Sequence, residues 1–267
     1  MFNLTQRFIG LGKIIFFALD CQVGLGKISL KTNRNMKKGI LMILCALAAL
    51  TAGAQKHEVY IADFDKLIVV DDINVIYRCV PDSAGNLVFY GDKESADCLL
   101  IKNDTKGKLT IQVTTEAANR KDIPTLTVYS SNLISVFNEG KRGVSVNLLP
   151  KCEKFKAVLS DNGSIILNNV NAESLTLQII TGAGSITASG KTEKLDVKLV
   201  GTGNIHAEEV RADKVNCNMT GTGKVYCNLT GGELYIKGSG TGRVFYKGQP
   251  EKIKTRKMGT LKAIPLE

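Results

Sequence analysis

Leu195-Asp196-Val197-Lys198-Leu199-Val200-Gly201-Thr202-Gly203-Asn204-Ile205-His206-Ala207 decides the fold of this chain. Apolar residues at 195, 197 and 199 alternate with polar ones up to the Gly-Thr-Gly step. The alternation then resumes at Ile205 and Ala207. Period two marks a strand with one face to be buried, so the segment reads as two strands joined at a glycine corner. The same grammar surrounds it. Leu175, Leu177 and Ile179 precede Gly182-Ala183-Gly184, with Ile186 and Ala188 after it. Val215, Cys217 and Met219 precede Gly221-Thr222-Gly223, with Val225 and Cys227 after it. Leu234 and Ile236 precede Gly240-Thr241-Gly242, with Val244 and Tyr246 after it. The second glycines, Gly184, Gly203, Gly223 and Gly242, recur at intervals of 19, 20 and 19 residues. Read outward, the series continues back to Gly163 and Gly143 and forward to Gly259 as a degenerate last member.

A unit of this length cannot bury its own apolar face. Stacked in parallel at about 4.8 Å, such units would bury a continuous inner column, which predicts a β-solenoid. A strand-to-strand corner needs either φ > 0 or room for close stacking, and both favour glycine. Gly182, Gly184, Gly201, Gly203, Gly221, Gly223, Gly240 and Gly242 are therefore read as structural corners, with Thr202, Thr222 and Thr241 forming a hydroxyl ladder between them. The rival reading, a dinucleotide loop, needs a third glycine three positions on and a following helix. Thr187, His206, Tyr226 and Phe245 occupy those positions, and strand-like sequence follows.

Upstream, short runs such as Leu67-Ile68-Val69-Val70, Ile73-Asn74-Val75-Ile76-Tyr77, Leu109-Thr110-Ile111-Gln112-Val113 and Leu126-Thr127-Val128-Tyr129 are separated by turn chemistry. The class is all-β. Residues 55–267 are expected to form one domain, with 62–137 as irregular N-terminal strands leading into regular Gly-x-Gly coils over 138–260.

Residues 36–54 read as a signal peptide: Met36-Lys37-Lys38, the apolar run Gly39 to Thr51, then Ala52-Gly53-Ala54 as the small-residue cleavage pattern. Cleavage is expected between Ala54 and Gln55. The apolar run is shorter than the 20 or so residues a transmembrane helix needs. Cys45 could signal lipidation, but Leu44 before it is larger than such signals use. Residues 1–35 read as an extension upstream of a start at Met36; an unusually long leader is the alternative. Seven of the 35 Lys/Arg and one of the 25 Asp/Glu fall in residues 1–54, leaving 28 against 24, a net charge of +4. No Lys/Arg run with interleaved aromatics marks a nucleic-acid surface. Five cysteines remain (Cys79, Cys98, Cys152, Cys217 and Cys227), none spaced as CxxC. Cys217 and Cys227 fall on inward positions of one coil, as small hydrophobes or as a disulfide between its two strands.

The opening Ala62-Asp63-Phe64-Asp65-Lys66-Leu67-Ile68-Val69, the strand Ile73 to Tyr77, Leu126-Thr127-Val128-Tyr129 and repeats such as Gly201-Thr202-Gly203-Asn204-Ile205 together resemble the auto-transporter adhesin head, or GIN, domain family, best known from exported proteins of Bacteroidota. The resemblance covers most of residues 60–250. It implies a right-handed parallel β-helix, export to the periplasm or surface of a Gram-negative cell, a proposed adhesive or envelope role, and no established enzyme activity. The sequence departs from the family's Ser-Gly-Ser-Gly step in its first two coils, at Asn138-Glu139-Gly140 and Asp161-Asn162-Gly163.

Chemistry is sparse. The histidines are His57 and His206; the second points outward beside Glu208 and Glu209 and reads as a surface residue. No HExxH or metal-spaced cluster is present, and no cofactor is expected. Parallel β-helices also serve polysaccharide cleavage, which needs carboxylates facing one groove. Glu173, Glu193, Asp196, Asp213 and Glu233 read as scattered, no two at equivalent outward positions. The candidate binding surface is instead the outward column after the corner: stacking places Thr187, His206, Tyr226 and Phe245 side by side, next to Ser185, Asn204, Lys224 and Arg243. Rings beside Arg, Lys and Asn suit a glycan or another protein's surface; the alternative is that they only cover a sheet face or lie under a terminal loop. The expected function is a non-catalytic, exported, adhesin-like module; a polysaccharide-cleaving enzyme and a purely structural envelope protein are the alternatives.

Overall fold

The computed structural model describes residues 55–266. The expected leader, the upstream extension and Ala54 lie outside the described residues, and Gln55 opens the first strand. The chain is all-β, with a parallel β-solenoid of about six turns and irregular N-terminal strands. Among the described residues no helix is long and apolar enough to cross a membrane.

The regular stack follows the repeat. Strands β10 (Cys152–Ser160), β11 (Ser164–Thr181), β12 (Ser185–Gly201), β13 (Asn204–Gly221) and β14 (Lys224–Gly240) pair in parallel, each with the next. The last coil is split into β15 (Arg243–Lys247), β16 (Lys252–Gly259) and β17 (Lys262–Pro265). In the core the inner columns run straight up the axis: Leu175–Leu195–Val215–Leu234 and Leu177–Val197–Cys217–Ile236, all at most 1% exposed. Each coil seals the face that its neighbour could not seal alone.

The two glycines of a corner do different work. Gly201 has φ +115°, a conformation only glycine adopts readily. At Gly203 no unusual torsion is needed. A Cβ there would fall 2.6 Å from the carbonyl oxygen of Gly184 one coil below, so the requirement is room. Between them Thr202, Thr222 and Thr241 stand exposed in one ladder, their amides donating to Gly182, Gly201 and Gly221 carbonyls.

Two members of the glycine series are out of place. Gly143 pairs with Ser164, one residue beyond the corner, so it belongs to the outward column. The first corner is closed by a side chain: buried Asn138 donates from Nδ2 to the Arg142 and Ser164 carbonyls and accepts from the Gly140 amide. Gly259 pairs with Gly240, which makes it a first glycine with φ +83°. The second-glycine position of that coil is Leu261, 1% exposed.

The N-terminal strands are coils as well, and their stacking order differs from their chain order. β2 (Lys66–Val69) and β3 (Val75–Cys79) lie between β6 (Lys108–Val113) and β7 (Leu126–Ser130) on one side and β8 (Ser135–Asn138) and β9 (Gly143–Asn147) on the other, parallel to all four. Antiparallel strands close that end: β5 (Leu99–Asn103) on β6, β4 (Asn86–Gly91) on β7, and β1 (Gln55–Tyr60) on β4. The edge strands of a sheet invite association, and this end is covered while β16 and β17 at the other end carry Lys252, Lys254, Arg256 and Lys262.

Candidate binding face

The post-corner strands β11 to β15 and β17 set the candidate face. Because their inward positions are fixed by Ile165, Ile186, Ile205, Val225 and Val244, all 0% exposed, the residues between them must point outward. Two outward columns result. Ser164, Ser185, Asn204, Lys224, Arg243 and Lys262 are in register next to the corner; Ile166, Thr187, His206, Tyr226, Phe245 and Ile264 are in register beside them.

All six residues singled out by the sequence, Asn204, His206, Lys224, Tyr226, Arg243 and Phe245, therefore meet on one face. The rings of His206 and Tyr226 stack with centroids 4.7 Å apart and planes 8° from parallel; Tyr226 and Phe245 stack at 4.8 Å and 9°. Each ring spends its face on the next, at the coil spacing itself, so the ladder presents ring edges to solvent. Stacking of this kind contributes about 0.5–1.5 kcal/mol per pair beyond area burial. The His206 side chain is 37% exposed and its Nδ1 lies 3.2 Å from Glu208 Oε1, while Glu209 meets Lys247 at 3.4 Å.

Three of the five carboxylates are not scattered. Glu173, Glu193 and Asp213 fall between the in-register sets Ala172, Thr192, Ala212 and Ser174, Lys194, Lys214, which places one carboxylate per coil in a single exposed column. Lys191 and Arg211 stand in register beside it, and an open groove of about 390 Å³ runs along both. The 20-residue spacing of the three was visible in the sequence; it was obscured by counting from the corners on the other side of the coil. Among the described residues no group of three or more His, Cys, Asp or Glu could hold a metal.

A second outward feature was not anticipated. Ile68, Phe137 and Val158 stand in register on the pre-corner face, with Ile180 nearby, and form a shallow apolar groove of about 340 Å³. The local signal is a break in alternation, as in Leu67-Ile68-Val69 and Ala157-Val158-Leu159. That Ile68 sits against Phe137 follows only from the inserted position of β2.

Cys217 and Cys227 are buried free thiols, not a disulfide. Burial pushes the Cys227 thiol up to about 12, with the Glu208 carboxylate adding to the shift, and raises Cys217 as well.

A parallel solenoid of short Gly-cornered coils carrying an outward ladder defines the class. The chain belongs to the family described as "Putative auto-transporter adhesin, head GIN domain", whose model matches residues 63–250. Solved structures of similar fold include a "putative adhesin" from Bacteroides fragilis, with a TM-score of 0.71 and 18% identity, covering 81% of this chain and 98% of that one. A "Putative lipid binding protein" from Parabacteroides distasonis gives 0.62 at 18% identity, again over 81% and 98%. A "putative adhesin" from Parabacteroides merdae gives 0.60 at 19% identity, over 81% and 98%. At these identities the likeness is one of fold. None of the curated proteins compared matches the chain.

Proposed function

We propose that this chain is an exported, non-catalytic, adhesin-like module of the cell envelope, in the periplasm or at the surface, that engages a glycan or protein through the face bearing His206, Tyr226, Phe245, Asn204, Lys224 and Arg243. The observation that carries the reading is the stacked ladder itself. Three rings are held in register on an outward column that the core does not require, with hydrogen-bonding and charged side chains alongside. Rigid rings flanked by Arg, Lys and Asn are the composition of recognition surfaces. Membership of the adhesin-head family supports a binding role. The test is retention on an envelope or glycan fraction. Tyr226→Ala with Phe245→Ala should abolish it while the melting temperature drops by only a few degrees. Unchanged retention by the folded double variant sinks the reading, and an unfolded variant would assign the rings to stability alone.

A second reading, cleavage of a polysaccharide, draws on the carboxylate column. Glu173, Glu193 and Asp213 share one groove, as glycan-cleaving sites require, but all three are solvent-exposed and the groove is open along its length. Release of reducing ends from a polymeric glycan, lost in Glu193→Gln, would establish it.

A further inference from the structure

The Gly-x-Gly corner forms a ridge along the solenoid, and its two flanks differ in charge from the rest of the molecule. On one flank Lys224, Arg243 and Lys262 stack in register. On the other, Lys198, Asn218, Lys237 and Arg256 do so. Exposed hydroxyls of Thr202, Thr220, Thr222, Thr241 and Thr260 lie between. All six cations are exposed, and among the described residues none has an ion-pair or side-chain hydrogen-bond partner. Three lysines elsewhere on the same coils are paired with carboxylates: Lys194 with Asp196, Lys247 with Glu209 and Lys254 with Glu233. No acidic residue occurs in 197–207, 214–232, 234–250 or 252–266. Residues 237–267 hold eight Lys/Arg against two carboxylates, whereas residues 55–130 hold nine against twelve. Positive charge is thus concentrated on the ridge and the last coils.

Resting on the proposed binding role of the adjoining face, we infer that this ridge binds a linear acidic polysaccharide lying along the solenoid axis. One cation per coil repeats at the coil spacing, which is close to the length of one sugar ring, so each carboxylated ring can meet one Lys or Arg. The hydroxyl ladder offers hydrogen bonds to sugar hydroxyls. The ring edges of Tyr226 and Phe245 carry the positive part of the aromatic quadrupole and also favour anionic groups. Single-stranded nucleic acid is disfavoured, because its bases need open aromatic faces and these are used up by stacking within the ladder. A duplex presents phosphates at about 3.4 Å per strand, out of step with the coils. The ridge is a line of corners, which suits a polymer better than a flat bilayer.

The experiment measures binding of the protein to immobilised polygalacturonate, with dextran as neutral polymer and a single-stranded oligonucleotide as competing polyanion. The wild type should bind polygalacturonate with an affinity that falls as salt rises. Lys224→Gln, Arg243→Gln and Lys262→Gln together should weaken it roughly 10- to 100-fold and flatten its salt dependence. The charge-matched set Lys93→Gln, Lys102→Gln and Lys121→Gln, at the other end of the molecule, should change it little. An equal loss in that control set would reduce the effect to net charge and overturn the inference. Oligonucleotide binding as tight as polygalacturonate, with the same loss in the ridge variant, would replace the glycan by nucleic acid. Dextran held as well as polygalacturonate, lost with the Tyr226 and Phe245 rings but kept by the ridge variant, would overturn the acidic ligand while leaving the binding face standing. Absence of wild-type binding to either polymer would overturn the ridge inference, and loss of retention on the envelope fraction as well would overturn the binding face.

Discussion

The Cβ that Gly203 lacks would sit 2.6 Å from the carbonyl oxygen of Gly184, on the coil beneath it. The same clash recurs at Gly223 against Gly203, at 2.2 Å, so the corner column is a run of backbone contacts with no space for a side chain. Gly203→Val must therefore push two coils apart. It should cost on the order of 2–4 kcal/mol, read as a lower melting temperature or denaturant midpoint. Asn204→Ser, next along the chain but in the outward column where Ser185 already stands, should stay within about 0.5 kcal/mol of the wild type. Equal stability of the two variants would mean that the corner is not close-packed.

The buried thiols give a pH signature. Cys227 sits in register on Ala207, with its thiol pushed up to about 12 by burial, against about 8.5 for an exposed cysteine. Because the folded pKa is raised, the stability tied to the neutral thiol is intact below about pH 8.5. As pH rises from there toward 12, the unfolded chain releases a proton that the native state keeps, and stability falls by roughly 1.4 kcal/mol per pH unit from this residue. Cys227→Ala, which continues the small side chain of Ala207, should shallow the alkaline loss measured by denaturant unfolding between pH 8 and 10. Slopes identical to the wild type would refute the buried neutral thiol. In the native protein Cys217 and Cys227 should also resist thiol reagents, while the half-buried Cys79, Cys98 and Cys152 react first.

Export makes a third prediction, which rests on sequence. The small residues Ala52 and Ala54 follow directly on an apolar core. Terminal sequencing of protein from the envelope fraction should begin at Gln55. A mature protein that starts before Met36, or is acylated at Cys45, would contradict it.

Alternation and spacing made the coil legible in the sequence. Period two assigned Leu195, Val197, Leu199, Ile205 and Ala207 inward, and all are at most 1% exposed. The 19- and 20-residue intervals brought Asn204, Lys224 and Arg243 into one column and His206, Tyr226 and Phe245 into the next, because backbone pairing between equal units leaves one register that keeps every apolar residue inside. The same spacing, applied to Glu173, Glu193 and Asp213, would have shown the carboxylate column too.

What the tertiary structure alone decided is where the pattern is degenerate or non-local. Several N-terminal strands carry the same alternation, and any of them could have lain beneath β8; long-range hydrogen bonding inserted β2 and β3 there, and so created the apolar groove of Ile68 and Phe137. Gly143 and Gly259 matched the repeat by residue type, but position in the stack governs the need for glycine. Asn138 closes the first corner with its side chain, and buried Leu261 stands at the second-glycine position after Gly259. Ring orientation was likewise beyond the sequence. A column of aromatic positions fixes their 4.7–4.8 Å spacing, but that the rings turn their faces to one another and their edges to solvent is set by side-chain packing between coils, which no local pattern encodes.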